Sequence, residues 1–79
     1  MDLVVLSQVK KVLEMHDVLS VSFNGVSGMF NILPHHAEMI SVLKKGRVAV
    51  DMGDGTKFVE LETAGAIVHV KDDIVKVLV

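Results

Sequence analysis

The sequence has no cysteine, no tryptophan and no tyrosine, and only one proline and three phenylalanines in 79 residues. Without cysteine no disulfide can brace the fold, and the absence fits a reducing compartment without demanding one. Three aromatic rings offer few platforms for stacking bases. Charge of one sign is missing too: eight Lys and Arg stand against ten Asp and Glu, for a net charge of −2. These charges are scattered along the chain, so the basic footprint of a nucleic-acid binder is absent. Long hydrophobic runs are also lacking. The longest, such as residues 3–6 (LVVL), are far short of the roughly 20 apolar residues that span a bilayer. Membrane association is therefore expected only through another protein. Met1-Asp2 opens with an acid and no apolar stretch of sufficient length follows, so no signal peptide is expected.

Valine is what the chain has in abundance, with sixteen copies. β-Branched side chains suit a pleated, half-buried surface better than a helix. Apolar residues make up 51% of the chain, and the excess either fills the core well or lies on a surface that a partner covers. Residues 18–23 alternate, with Leu19, Val21 and Phe23 on one face and Ser20 and Ser22 on the other. Residues 47–52 repeat the pattern, Val48, Val50 and Met52 opposing Arg47 and Asp51. TKFVEL (56–61), AIVHV (66–70) and IVKVLV (74–79) are further runs of strand length. Gly53-Asp54-Gly55 and Lys71-Asp72-Asp73 separate such runs and read as turns, and Asn24-Gly25 ends the strand closing at Phe23. Strand signals every 8–12 residues predict one all-β domain over residues 1–79, a sandwich or barrel. Two segments fit helix and strand equally. In residues 3–15, Val5, Val9, Val12 and Leu13 have helix-compatible spacing, and residues 36–43 can form a helical turn or a bent strand.

The stretch GMFNILPHHAEMISVLKKG, residues 28–46, resembles the most distinctive segment of the epsilon subunit of F-type ATP synthases. That family runs roughly Gly-Glu-x-Gly-Ile-Leu-Pro-Gly-His-Ala-Pro-Leu-Leu-Thr-x-Leu, with a further glycine a few positions on. Gly28, Ile32, Leu33, Pro34, His36, Ala37, Leu43 and Gly46 stand in register, with Ser41 in the threonine's place. AGAIVHV and KDDIVKVLV resemble the family's closing strands, and residues 3–7, 12–13 and 18–23 its first three. The departures are Met29 for an acid, Asn31 for a glycine, His35 for the glycine of Pro-Gly-His, and Glu38 and Lys45 for prolines. A proline common after the first strand is also missing, Ser7-Gln8 occupying that region.

The resemblance implies a two-sheet β-sandwich of about eight to ten short strands and a non-catalytic rotor role. On this reading the domain packs on the gamma subunit and the c-ring of the central stalk and couples proton flow to ATP synthesis. It would sit on the cytoplasmic face of a bacterial inner membrane, held there by the complex. Val26, Ser27, Gly28 and Met29 are the implied c-ring contact, with Met29 a flexible apolar substitute for the family's acid. Ser7, His36 and Ser41 are the implied gamma contact, and Pro34 and Gly46 the implied structural turn positions. The family's C-terminal helical hairpin, which the resemblance credits with inhibition and ATP binding, is not expected in residues 1–79, and neither role is assigned.

Other chemistries find little footing. His16, His35, His36 and His69 show neither H-x₃₋₅-H nor HExxH spacing, and adjacent histidines on an extended strand point apart, so no metal site is expected. Asp51 and Asp54 sit in a faint calcium-loop pattern that lacks a third chelating position and a closing glutamate. No P-loop and no spaced catalytic constellation appears, so no catalytic residue and no cofactor is expected. The alternative reading is a free-standing small β-barrel that binds a peptide or small ligand.

Overall fold

The computed structural model describes residues 1–62 and 64–79. They form nine strands and no helix: β1 (Asp2–Leu6), β2 (Lys11–Met15), β3 (Ser20–Gly25), β4 (Gly28–Ile32), β5 (Met39–Val42), β6 (Gly46–Asp51), β7 (Thr56–Leu61), β8 (Ile67–Lys71) and β9 (Ile74–Leu78). A five-stranded sheet has the order β2-β1-β9-β8-β5, and a four-stranded sheet the order β4-β3-β6-β7. The expected β-sandwich is therefore what the chain forms. All pairs are antiparallel except β1 with β9, which run parallel with Leu3 beside Val75 and Leu6 beside Leu78. No helix crosses a membrane, since none is long and apolar enough.

Alternation supplies the core. Leu3 and Val5 of β1, Val21 and Phe23 of β3, Val48 and Val50 of β6, Val68 and Val70 of β8, and Val75 and Val77 of β9 all point between the sheets and are buried. Ile32, Leu43 and Leu61 complete the layer, and Phe23 meets Phe30 at 5.5 Å between ring centroids. No polar or charged residue is buried among those described. Such a core is set by packing alone, and close-packed interiors transmit strain rather than absorb it.

The two ambiguous segments are both extended. Residues 3–15 form the β1–β2 hairpin, whose turn is closed by Ser7: its Oγ donates to the Lys10 carbonyl (3.1 Å) and accepts from the Lys10 amide (3.2 Å). Residues 39–42 are β5, on the edge of the five-stranded sheet. One expected core position is corrected: Leu19 lies 50% exposed, and Val18 is buried in its stead. β3 starts only at Ser20. Val18 is bonded to the Met1 carbonyl and Leu19 to that of Asp51, so the chain changes partner between them and the alternation breaks.

The sheets are stitched on one side. Gly25 bridges to Leu43, Val26 donates to the Val42 carbonyl (3.0 Å) and Lys44 to that of Asn24 (2.8 Å). Here the end of β3 is joined to β5 just before the chain crosses into the four-stranded sheet. A Cβ on Gly25 would lie 2.8 Å from the Gly28 carbonyl oxygen and 2.9 Å from the Phe30 ring, so this crossing needs glycine.

Candidate interaction surface

The loop between β3 and β4 carries the four residues implied for c-ring contact. Val26 is 55% exposed and Met29 77%. β3 and β4 pair up to Gly25 and Gly28, leaving Val26 and Ser27 at the hairpin tip. The structure separates Val26 from Met29. The antiparallel bridge at Gly25 makes Val26 the cross-strand neighbour of Val42, on the outward side of the five-stranded sheet. Met29 pairs instead with Asn24 on the outer face of the four-stranded sheet, beside Asn31 and Ser22, whose hydroxyl donates to the Asn31 side-chain carbonyl (3.3 Å).

Ser7, His36 and Ser41 are not gathered onto one surface. The hydroxyl of Ser7 is engaged in the β1–β2 turn. Ser41 pairs with buried Val68, on the side of β5 that also carries Met39 and leads to Leu43, while Ile40 and Val42 take the outward positions. His36 is exposed, its Nδ1 2.7 Å from the Ala37 carbonyl.

Pro34 occupies the second position of a turn that closes through the His36 amide and the Leu33 carbonyl (3.2 Å). His35 follows with φ 64°, the third position of a type II turn, where glycine is favoured. The family's glycine at this place thus has a conformational reason. The cost of His35 is offset by its amide, which donates to Asp73 Oδ1 at 2.9 Å. Gly46 has φ 138° at the start of β6, a region that side chains avoid.

Charged groups pair mainly at the end of the molecule opposite the β3–β4 loop. His16 is held between two carboxylates, Nδ1 at 3.2 Å from Asp2 and Nε2 at 3.1 Å from Glu14. The Asp2 carboxylate, and after it that of Glu14, raise the His16 pKa above its ordinary 6.5. Lys11 (2.8 Å) and then His16 hold Glu14 below the usual carboxylate range. The His35 amide does the same for Asp73. His69 Nε2 meets Glu38 at 3.1 Å. Among the described residues no group of three or more His, Cys, Asp or Glu is arranged to hold a metal ion.

On the side away from the stitched seam, β2 and β7 are both sheet edges and leave a cleft of about 330 Å³ lined by Val5, Val12, Leu13, Val59, Leu61 and Val79, with Glu60 and Glu62 beside them. Sequence reading missed this cleft, and it missed Ile40 and Phe58, both large and exposed. Arg47 lies over the Phe58 ring (4.8 Å) and reaches Glu60 (3.2 Å). Ile40 was detectable in principle, since strict alternation along β5 puts an isoleucine outward.

Among the described residues the β-sandwich has an all-apolar interior and exposed apolar side chains around one hairpin, a surface of the kind partners cover. Comparison with known proteins says which kind. The family model "ATP synthase, Delta/Epsilon chain, beta-sandwich domain" matches residues 1–79, and the chain belongs to that family. It is 33% identical over 69 residues to the ATP synthase epsilon chain of Leptospira borgpetersenii, covering 87% of this chain and 53% of the relative. With the epsilon chain of Campylobacter hominis it shares 36% over 63 residues, covering 80% and 48%. With that of Nitratiruptor the identity is 46% over 41 residues, covering 52% and 32%. The matched segment thus spans about half or less of these relatives. Among solved structures, the central stalk and c-ring of the Tetrahymena thermophila mitochondrial ATP synthase contains a chain with the same fold. Its TM-score is 0.75 at 18% identity, over 99% of this chain and 61% of that one.

Proposed function

We propose that this domain is a non-catalytic rotor subunit of a proton-translocating F-type ATP synthase, transmitting torque between the c-ring and the gamma subunit. The observation that carries the reading is the family match over all of residues 1–79. The architecture supports it in a second way. Torque transfer needs a stiff body with binding surfaces and no reactive group, and a valine-rich core with no buried polar residue among those described is such a body. Val26, Ser27, Gly28 and Met29 form the c-ring contact on this reading. Ser7, His36 and Ser41 lie at or near the gamma contact, and the domain is peripheral on the cytoplasmic face of a bacterial inner membrane through the complex.

The test is coupling. Met29→Asp and Val26→Asp, each at an exposed position, should weaken ATP-driven proton pumping in membranes while leaving hydrolysis by the isolated catalytic head unchanged. Unaltered pumping would remove the loop from the c-ring contact. The ligand-binding alternative draws on the largely apolar cleft between β2 and β7, which Glu60 and Glu62 also line. It requires a chain that stays soluble and alone, whereas the rotor subunit co-purifies with gamma and with membranes.

A further inference from the structure

Strand β2 has few apolar anchors. None of its five residues is buried, and its outer edge has no neighbouring strand among the described residues. Only Leu13 and Met15 pack partly on the core. β5 is the other strand without a buried residue, but the bond from Val26 to the Val42 carbonyl ties it to the end of β3. The pairing of β2 with β1 is also irregular near their turn, where the register shifts between Val5 and Leu6. A strand so placed opens locally at little cost. The groups that close its far end therefore matter more than they would for a core strand.

His16 closes that far end, following β2 directly and reaching back to the first residue of β1. Its Nδ1 lies 3.2 Å from Asp2 and its Nε2 3.1 Å from Glu14, so both ring nitrogens face carboxylate oxygens. A neutral imidazole has one N–H donor and one lone pair, so one contact would set a bare nitrogen against an acceptor. Only the protonated ring donates to both. His69 differs, because only its Nε2 meets a carboxylate, that of Glu38, and a neutral ring satisfies that contact. The other charges near His16 are engaged or set apart. Lys11 takes the second oxygen of Glu14 at 2.8 Å. Asp73 accepts from the His35 amide and lies 3.7 Å from the N-terminal ammonium. Lys76 is separated from Glu14 by Val4, which pairs with both. Asp17 follows in the chain at φ 56° and forms no ion pair with His16 among the described residues.

We propose that His16 is a proton-operated clasp on edge strand β2, closed when the ring is an imidazolium and released when it is neutral. The Asp2 carboxylate, and after it that of Glu14, raise the His16 pKa above 6.5. The clasp is therefore fully closed below pH 6.5 and lets go as pH rises through the elevated value. Release frees the edge of β1 that β2 covers, beside buried Leu3 and Val5. It also loosens the wall of the cleft to which Val12 and Leu13 belong. The device is local: it acts on one strand, leaves the valine core as it is, and does not depend on the rotor reading.

Amide hydrogen exchange of the whole chain, corrected for the intrinsic effect of pH, tests it. Between about pH 6 and about pH 8.5 the protection of β2 amides should fall about threefold relative to β8 and β9, the scale of an exposed ion pair. His16→Gln, which takes no charge, should show the lower protection at both values. Asp2→Asn leaves the ring one carboxylate and should shrink the pH effect, whereas His69→Gln should leave it unchanged. None of these side chains is buried, and unchanged melting temperatures at the higher pH verify the fold of each variant. Wild-type β2 protection that is equal at the two pH values overturns the clasp. A fall that persists in His16→Gln overturns it as well, since another group then titrates. So does a fall that β8 and β9 share, because the effect is then not confined to the edge strand.

Discussion

The two ends of the sandwich are built from the same valine-rich strands and finish them in opposite ways. At one end the β3–β4 loop, Val42, Ile67, Leu78 and Leu6 leave apolar side chains in solvent. At the other, the chain satisfies its own polar groups. Asp73 accepts from the His35 amide, and His16 sits between Asp2 and Glu14. The β8–β9 turn there is made by Asp72 and Asp73 at φ 53° and 61°, the paired positive angles of a type I′ hairpin. An end that closes itself has little left to offer a partner. An end that leaves isoleucine and leucine half-exposed in a row gains by being covered, and in a rotor subunit that end is the one expected to dock.

The largest effect should come from the core that both ends share. Val21 is fully buried between the sheets, so Val21→Asp places an unpaired charge there. A loss of more than about 4 kcal/mol is expected, enough to unfold a domain whose whole stability is on the order of 5–15 kcal/mol. Circular dichroism melting reads it directly, and an unchanged melting temperature would mean the inward face is misassigned. Next, Gly25→Ala strikes the apolar end alone. Its methyl group would press on the Gly28 carbonyl and the Phe30 ring, at an expected cost of about 1–3 kcal/mol. A variant as stable as the parent would show that the stitched seam is looser than drawn.

The polar end offers gentler tests. His35→Gly removes a side chain from a left-handed backbone position and should stabilise the domain by about 1 kcal/mol. A loss of stability would show that the histidine ring matters more than its backbone angle. Titration then separates two groups of the polar end by sign. The His16 pKa is raised, so its contribution is complete below pH 6.5 and fades as pH rises through the elevated value. The Asp73 pKa is lowered, so its contribution is present above the ordinary carboxylate range and fades as pH falls through the depressed value. Both groups are solvent-exposed and both effects are expected to be small. Substituting His16→Ala should abolish the alkaline decline and spare the acid one, as measured by urea midpoints across pH.

Much of this was legible in the sequence and some was not, for identifiable reasons. The alternation of Val21 with Phe23 and of Val48 with Val50 gave two core strands correctly, because local pattern and burial agree there. The polar turns at residues 53–55 and 71–73 were likewise readable. Val5, Val9, Val12 and Leu13 misled because helical spacing can arise by accident. Val9 is at the tip of a hairpin turn that Ser7 closes, and no periodicity reports a hydroxyl's choice of partner. Leu19 was placed on the wrong face because the alternation assumed a strand that begins two residues too early. The residues of the β3–β4 loop were singled out by resemblance, but their division between two faces depends on the bridge from Gly25 to Leu43, eighteen residues apart.

Hydrogen exchange of the chain, alone and within the assembled ATP synthase, tests most directly whether the apolar end is the docking end. Amides of residues 25–28, 41–43, 67 and 78 should slow by at least tenfold on assembly while those of residues 72–73 and 53–55 keep their rates. Slowing confined to the Asp72-Asp73 turn and its neighbours, with the Val26 end unchanged, would contradict the account.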